Sequence, residues 1–228
     1  MKIVVVARCM NDERHIERFL HGYDFVDAYV ISDGGSEDKS VELLQQNPKV
    51  QLHHFYQKHV VDGIAFNDDA PHMNFVLSCA KALEPDWLIF DDIDCWPNFL
   101  LRENARYLLE NVIKKTQVNA FRLYMWGETQ YFPKMNRDFH PDYVSLWAWQ
   151  PKHVDIKADT NIKHGTLLGL SNKPYRIMTP MCLLHYSWNP DTIDEKLKRY
   201  KAMGLQVSHP FDMPNAKTPV DAPEWAKE

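Results

Sequence analysis

Cysteine is scarce in this chain: the four, Cys9, Cys79, Cys95 and Cys182, lie far apart and form no CxxC pair. That spacing argues against a disulfide framework or a zinc knuckle and for reduced thiols. Long apolar runs are also missing. The one in MKIVVVARCM is too short for a signal peptide or a bilayer span, so it reads as a buried strand in a cytoplasmic chain with no membrane insertion. Basic charge is not in excess, since 26 Lys and Arg face 31 Asp and Glu for a net charge of −5. A duplex binder that neutralises phosphates carries a clear basic surplus, so nucleic acid is disfavoured as the main partner. No internal repeat, domain linker, GxGxxG fingerprint or HExxH pattern is present.

What is present suits one globular domain. The 228 residues are 45% apolar and 25% charged, enough to bury a core unaided. Ile3 to Val6 is a continuous β-branched run, the pattern of a strand covered on both faces. Asn11 is expected to cap a helix with Asp12 and Glu13 in its first turn, Ile16, Phe19 and Leu20 on its apolar face, and Gly22 at its end. A strand from Phe25 to Ser32 then enters the turn Asp33-Gly34-Gly35-Ser36. A helix over Asp38 to Gln46 stops at Asn47-Pro48, and Val50 to Phe55 reads as a third strand. Gln57 to Ala70 has no clear period and is expected to be a loop. Pro71 to Leu83 predicts a helix with Phe75, Val76, Cys79 and Leu83 on one face. Trp87 to Phe90 is a short apolar strand, and Asn98 to Lys115 predicts the longest helix.

The second half is less regular. Ala120 to Met125, Tyr143 to Ala148 and Met181 to Tyr186 read as strands. Thr192 to Met203 reads as a helix, with a Thr192–Glu195 capping box and Gly204 at its end. Beyond His209 the proline-rich tail is expected to be extended. Strands alternating with helices predict an α/β fold with a mostly parallel, doubly wound sheet whose strand C-termini share one edge.

The densest chemical signal is Asp91-Asp92-Ile93-Asp94, directly after the Trp87–Phe90 strand. Carboxylates so close together repel unless they are solvated or neutralised by a cation. The strand delivers them to the carboxyl edge of the sheet, where open α/β sheets bind ligands. Hard oxygen ligands suit Mg²⁺ or Mn²⁺, which would bridge to a diphosphate. A solvated acidic turn capping the next helix through Asp94 would use the same residues. The second signal is the Asp33 turn, whose glycines permit close backbone approach and whose carboxylate can accept from a ribose hydroxyl or a base N–H. An ordinary strand-to-helix turn would look the same.

Together these stretches resemble glycosyltransferase family 2, the inverting enzymes of the GT-A fold. The matching residues are Val4 to Arg8, Asn11-Asp12-Glu13, Ile16 to Leu20, Val30 to Ser40, Asn74, and Trp87 to Asp94, in the family's order over about the first 100 residues. The resemblance implies a single GT-A domain whose residues 1–115 bind a nucleotide-diphosphate sugar, with UDP the favoured nucleotide, and whose residues 116–228 receive the acceptor. It implies contact of Asp33 with the nucleotide, with Ala7 and Arg8 nearby. It also implies a DxD pair at Asp92 and Asp94, with Asp94 on the metal and Asp92 on the ribose or the metal. Asp91 leaves a one-residue shift of that pair open. His185 resembles the late histidine that completes the metal site in some related enzymes, although a packed histidine at a strand end would read alike. The expected cofactor is Mn²⁺ or Mg²⁺.

Inverting transfer needs a base to deprotonate the acceptor. The family's Glu-Asp pair is missing after the DxD region, and so is the QxxRW motif of processive synthases. Asp142 and Glu128 are the candidate bases, and single-sugar transfer (hexosyl or pentosyl) is expected. The acceptor would be a hydroxyl of a glycan, a lipid-linked sugar, a protein or a hydroxylated nucleobase, which is the one place for nucleic acid. Tyr124, Trp126, Tyr131, Phe132, Trp147 and Trp149 either stack on that acceptor or fill the core. Lys196, Lys198, Arg199 and Lys201 either attract the diphosphate or form a solvated face, and His53-His54 is expected to hold no metal. Among other classes, a haloacid-dehalogenase phosphatase would need Thr or Val where Trp96 stands. A sugar-phosphate nucleotidylyltransferase would open on a Gly-rich loop unlike ARCMNDE. A non-catalytic binding module on the same fold remains the competing reading from outside enzymology.

Overall fold

A computed structural model describes residues 1–131, 144–160, 167–178, 180–188, 191, 193–204 and 219–226. In chain order, β1 (Ile3–Cys9), α1 (Glu13–Gly22), β2 (Ala28–Asp33), α2 (Ser40–Gln45) and β3 (Val50–His54) form the first wound unit. A hairpin of β4 (Lys58–Val61) and β5 (Ile64–Asn67) leads to α3 (Asp69–Lys81), β6 (Trp87–Phe90), β7 (Cys95–Pro97) and α4 (Phe99–Tyr107). The second half holds β8 (Gln117–Trp126), β9 (Gln130–Tyr131), β10 (Val144–Trp149), β11 (Lys157–Ala158), β12 (Leu167–Leu168), β13 (Tyr175–Ile177), β14 (Leu183–Trp188), α5 (Ile193–Ala202) and β15 (Val220–Asp221).

The main sheet runs β3-β2-β1-β6-β10-β8-β9-β15. β1, β2, β3 and β6 are mutually parallel, and β10 lies antiparallel between β6 and β8. β13 and β14 both run parallel to β8, one along each half of that long strand. The mostly parallel, helix-flanked α/β sheet expected from the alternating pattern is therefore present.

Alternation along β1 explains its central place. Successive side chains of a strand point to opposite faces. Ile3, Val5, Ala7 and Cys9 pack with Ile16 and Phe19 of α1 and with Leu101 and Ala105 of α4. Val4 and Val6 pack on the other face with Met73, Val76, Leu77 and Ala80 of α3. The α3 stripe differs from the expected one, because Phe75 and Cys79 are only half-buried. Asn74 takes no part in the stripe: its amide exchanges hydrogen bonds with the backbone N–H and C=O of Ala158 and fastens β11 to α3.

Three local expectations are corrected. Residues 57–70 are no loop but the β4–β5 hairpin leading into the start of α3. Asp62 (φ 51°) and Gly63 (φ 77°) form its left-handed turn, the Asp-Gly signal of a tight hairpin. Asn11 does not cap α1. It adopts φ 59°, and its side-chain oxygen accepts from Glu37 N–H at 2.7 Å, tying the β1–α1 turn to the one after β2. The helix begun by Asn98, which caps Leu101 N–H at 3.1 Å, ends its α-helical part at Tyr107 and passes into a π turn over Leu108–Val112. The Thr192 half of the expected capping box lies outside the described residues. Among the described residues, no helix is long and apolar enough to cross a membrane.

One buried ion pair ties the halves of the sheet. Asp91, just past β6, is 0% exposed. It accepts from Arg122 Nη2 of β8 at 2.7 Å and from the Tyr23 hydroxyl at 2.6 Å. Burial pushes its carboxyl up while Arg122 and Tyr23 oppose the shift, so the pair holds the charge in place. Removing one partner strands the other charge in a site built for two. Asp91→Ala is expected to cost about 3–5 kcal/mol of stability, read as a lower urea midpoint at constant slope. A loss below about 1 kcal/mol would contradict this role.

Candidate functional site

The strand ends place the acidic cluster. β6 stops at Phe90, and Asp91 turns inward to Arg122, leaving Asp92 and Asp94 for the cleft. Cys95 N–H donates to Asp92 C=O at 2.9 Å, closing a turn that leads into β7. β7 pairs antiparallel with β14, setting His185 opposite Cys95, and Tyr186 N–H reaches Asp94 C=O at 2.7 Å. This pairing brings a histidine from late in the chain onto the Asp92–Asp94 turn. One ligand atom from each of Asp92, Asp94 and His185 lies within 4.8 Å of the others.

Basic groups surround the cluster. Arg8, at the end of β1, spans Asp69 Oδ1 at 2.7 Å and Asp92 Oδ1 at 3.1 Å with the two arms of its guanidinium. His185 Nε2 stands 3.3 Å from Asp94 Oδ1, and Lys196 Nζ of α5 stands 3.5 Å from Asp94 Oδ2. Burial alone would raise the Asp94 carboxyl. His185 and Lys196 outweigh it and hold that carboxyl well below the usual carboxylate range. Asp12 is pushed the other way, up to about 7. Burial and the neighbouring Asp94 raise it, against the Met10 N–H bond and the charges of Arg199 and Lys196.

These groups line one cleft of about 360 Å³ at the carboxyl edge of β1 and β6, within the size of small-molecule sites. β5 contributes Phe66 and Asn67 to its wall, α5 contributes Lys196, Arg199 and Tyr200, and Met203 just beyond α5 completes it. Two carboxylates and an imidazole form a donor set suited to Mn²⁺ or Mg²⁺. Asp92, Asp94 and His185 would hold such an ion, which would neutralise a bound diphosphate.

The remaining expected residues fall into two groups. Arg8 lines the cleft, but Ala7 is fully buried inside β1. Asp33 is 4% exposed and accepts from Gly35 N–H at 2.9 Å and Ser36 N–H at 3.1 Å, so its carboxylate shapes its own turn. That turn needs glycine: Gly35 has φ 95°, and a Cβ on Gly34 would meet Asn67 Nδ2 at 2.2 Å. Glu128 stands after β8 with its carboxylate on Arg18 at 2.5 Å, away from the cleft-lining residues. Asp142 and Phe132 lie outside the described residues. Of the other aromatics, Trp147, Trp149 and Tyr131 are buried in the core, Trp126 packs near Ile193, and Tyr124 lines the cleft with its ring 5.1 Å from that of His185.

Sequence reading alone missed Asp12, Asn67, Asp69 and Arg122 as cleft residues. It left the basic run on α5 undivided, whereas Lys196 and Arg199 face the cleft and Lys198 and Lys201 are exposed. Helical spacing carried that signal, because i and i+3 share a face.

No protein-family model matches the chain, and no curated protein does. Among solved structures, glucosyl-3-phosphoglycerate synthase from Mycobacterium tuberculosis in complex with phosphoglyceric acid is similar with a TM-score of 0.50 and 14% identity. That match covers 91% of this chain and 81% of the synthase. TarS 1–349 from S. aureus in complex with UDP gives 0.46 at 16% identity, and in complex with UDP-GlcNAc 0.44 at 15%. Each TarS match covers 78% of this chain, which spans 61% and 59% of the respective TarS fragments. The likeness to the synthase shows the fold, and the fold is GT-A.

Two buried imidazoles beside the cleft give a pH signature. His15 and His72 are each pushed down to about 4, chiefly by burial. His72 sits against Ser32 Oγ at 2.9 Å and stacks on Phe55. With folded values below the unfolded 6.5, the native state binds fewer protons than the unfolded chain between those limits. Their stabilisation is whole above pH 6.5 and is lost as pH falls towards 4, by up to about 3 kcal/mol each. Asp12, being raised, works in the opposite sense. Urea titrations at pH 7.5, 5.5 and 4.5 are expected to show His72→Gln losing less stability on acidification than the wild type. Equal losses would contradict a neutral buried His72.

Proposed function

We propose that this chain is a metal-dependent, inverting glycosyltransferase of the family 2 kind. It would move a single hexosyl or pentosyl unit from a nucleotide-diphosphate sugar, with UDP the favoured nucleotide, to a hydroxyl acceptor. The observation that carries this reading is the meeting of Asp92, Asp94 and His185 in one cleft with Arg8, Lys196 and Arg199. Hard anionic ligands at the centre and fixed cations at the rim suit a diphosphate bound through a divalent ion.

In this reading residues 1–115 hold the donor, and residues 116–228 add α5 to the donor site and receive the acceptor. Asp94 and His185 ligate Mn²⁺ or Mg²⁺, and Asp92 reaches the metal or the ribose while Arg8 fixes its carboxylate. Lys196 and Arg199 face the diphosphate and stabilise its charge as the sugar departs. Asp33 serves the nucleotide through the turn it holds rather than through a free carboxylate. The acceptor is a hydroxyl of a glycan, a protein or a hydroxylated nucleobase. Its deprotonation falls to Asp142 or to Asp12, the cleft carboxylate whose raised value suits a base near neutral pH. The position of Glu128 on Arg18 counts against it. The alternative is a nucleotide- or carbohydrate-binding module without turnover.

Thermal unfolding with Mn²⁺ and UDP, GDP, dTDP or CMP tests the donor site. A ligand at about 100 times its Kd adds roughly 2.7 kcal/mol, or several degrees for a chain of this size. The expected result is a metal-dependent rise with UDP that is lost in Asp94→Asn. No rise with any nucleotide would overturn the reading. Turnover separates the enzyme from the binding module: Asp12→Asn or Asp142→Asn is expected to lower kcat by about 10²–10⁴-fold with nucleotide binding retained. Full activity in both variants would remove both residues as bases.

A further inference from the structure

In the donor-site reading Asp94 ligates the divalent cation, and both of its oxygens already have basic neighbours. His185 Nε2 lies 3.3 Å from Oδ1 and Lys196 Nζ lies 3.5 Å from Oδ2. All three side chains are largely withdrawn from water, at 18% exposure for Asp94, 12% for His185 and 14% for Lys196. Repulsion between cations is weakly screened in such a place. A divalent ion on Asp94 and an ammonium at the same carboxylate therefore compete for one counter-charge. Histidine resolves the conflict by presenting a neutral nitrogen as a ligand, whereas lysine can resolve it only by moving.

Lysine is built for that movement. Its charge is a compact ammonium on a flexible four-carbon stem, with three donors free to reorient. Lys196 also has somewhere to go. It lines the same cleft as Arg199, one turn further along α5, and the space they face is where the diphosphate lies in the donor-site reading.

We propose that Lys196 is a displaceable counter-cation: it neutralises Asp94 in the ligand-free protein and transfers to the donor diphosphate when a divalent cation takes Asp94. The consequence, which rests on the donor-site reading, is reciprocal coupling. The metal alone binds weakly because it must evict Lys196 without offering the ammonium another anion. The nucleotide diphosphate supplies that anion, so each ligand strengthens the other by the same factor. Lys196 is thus a positioning residue for the donor complex and sets the order in which the site fills.

The test is a Mn²⁺ titration of the full chain followed by the EPR signal of the free ion, with and without UDP. Wild type is expected to bind Mn²⁺ at least about tenfold more tightly with UDP present. Lys196→Gln is expected to bind Mn²⁺ alone at least about fivefold more tightly than wild type and to lose most of the coupling. Lys196→Arg keeps the charge and is expected to keep Mn²⁺ alone weak, which a merely structural role would not require. Lys198→Gln, exposed on the same helix, is expected to match wild type. Mn²⁺ affinity unchanged or weakened in Lys196→Gln, or coupling that survives there, would overturn the proposal while leaving the donor site standing. If Lys196→Gln does not fold, weak metal binding retained in Lys196→Arg supports the proposal and tight binding there overturns it. Wild type that binds neither Mn²⁺ nor UDP would overturn the donor-site reading and the proposal with it.

Discussion

Negative charge at the end of β6 is the constraint around which this molecule is arranged. Three aspartates within four residues, delivered by a buried apolar strand, cannot all remain charged in a low dielectric without partners. Each has a different answer. Asp91 is neutralised inside the sheet by Arg122 and becomes part of the core. Asp92 is held by Arg8, whose other arm reaches the start of α3. Asp94 faces His185 and Lys196, which come from β14 and α5. The second half of the chain is thereby bound to the first through charges as well as through the strands β7, β10 and β14.

This division of labour gives the cleft its character. A cluster of acids alone would be a solvated turn, and a cluster of bases alone would be a general anion trap. Here Asp92 and Asp94 lie close enough to His185 to hold a cation, and Lys196 and Arg199 line the same cleft. In the donor-site reading this arrangement favours a cation and an anion arriving together over either alone. Arg8 is already fixed between Asp69 and Asp92 and α5 already packs against β5, so in that reading Lys196 is the group that moves.

Much of the fold was legible because it rests on local, strongly patterned segments. The run Ile3 to Val6 and the strand Trp87–Phe90 carry enough β-branched or apolar character to be read directly, and the Asp cluster marks the sheet edge by itself. The hairpin at 58–67 went unread although Asp62-Gly63 is a turn signal, because β4 is exposed throughout and lacks an apolar alternation. Asn11 misled because asparagine suits both a helix cap and a left-handed turn, and contacts with Glu37 decide between them. The partners of the acids were the hardest to see. Arg122 and Lys196 are ordinary basic residues in sequence, and only the pairings of β8, β14 and α5 bring them to the cluster. The place of His185 against Asp94, and beside Cys95 in the sheet, comes only from the β7–β14 pairing.

A crystal grown with MnCl₂ and UDP, with data collected above the manganese absorption edge, would test the central claim most directly. The account predicts one strong anomalous peak bonded to Asp94 and His185, with the UDP diphosphate between that peak and the Lys196–Arg199 face of α5. Nucleotide bound elsewhere, or an anomalous peak away from Asp92, Asp94 and His185, would contradict it.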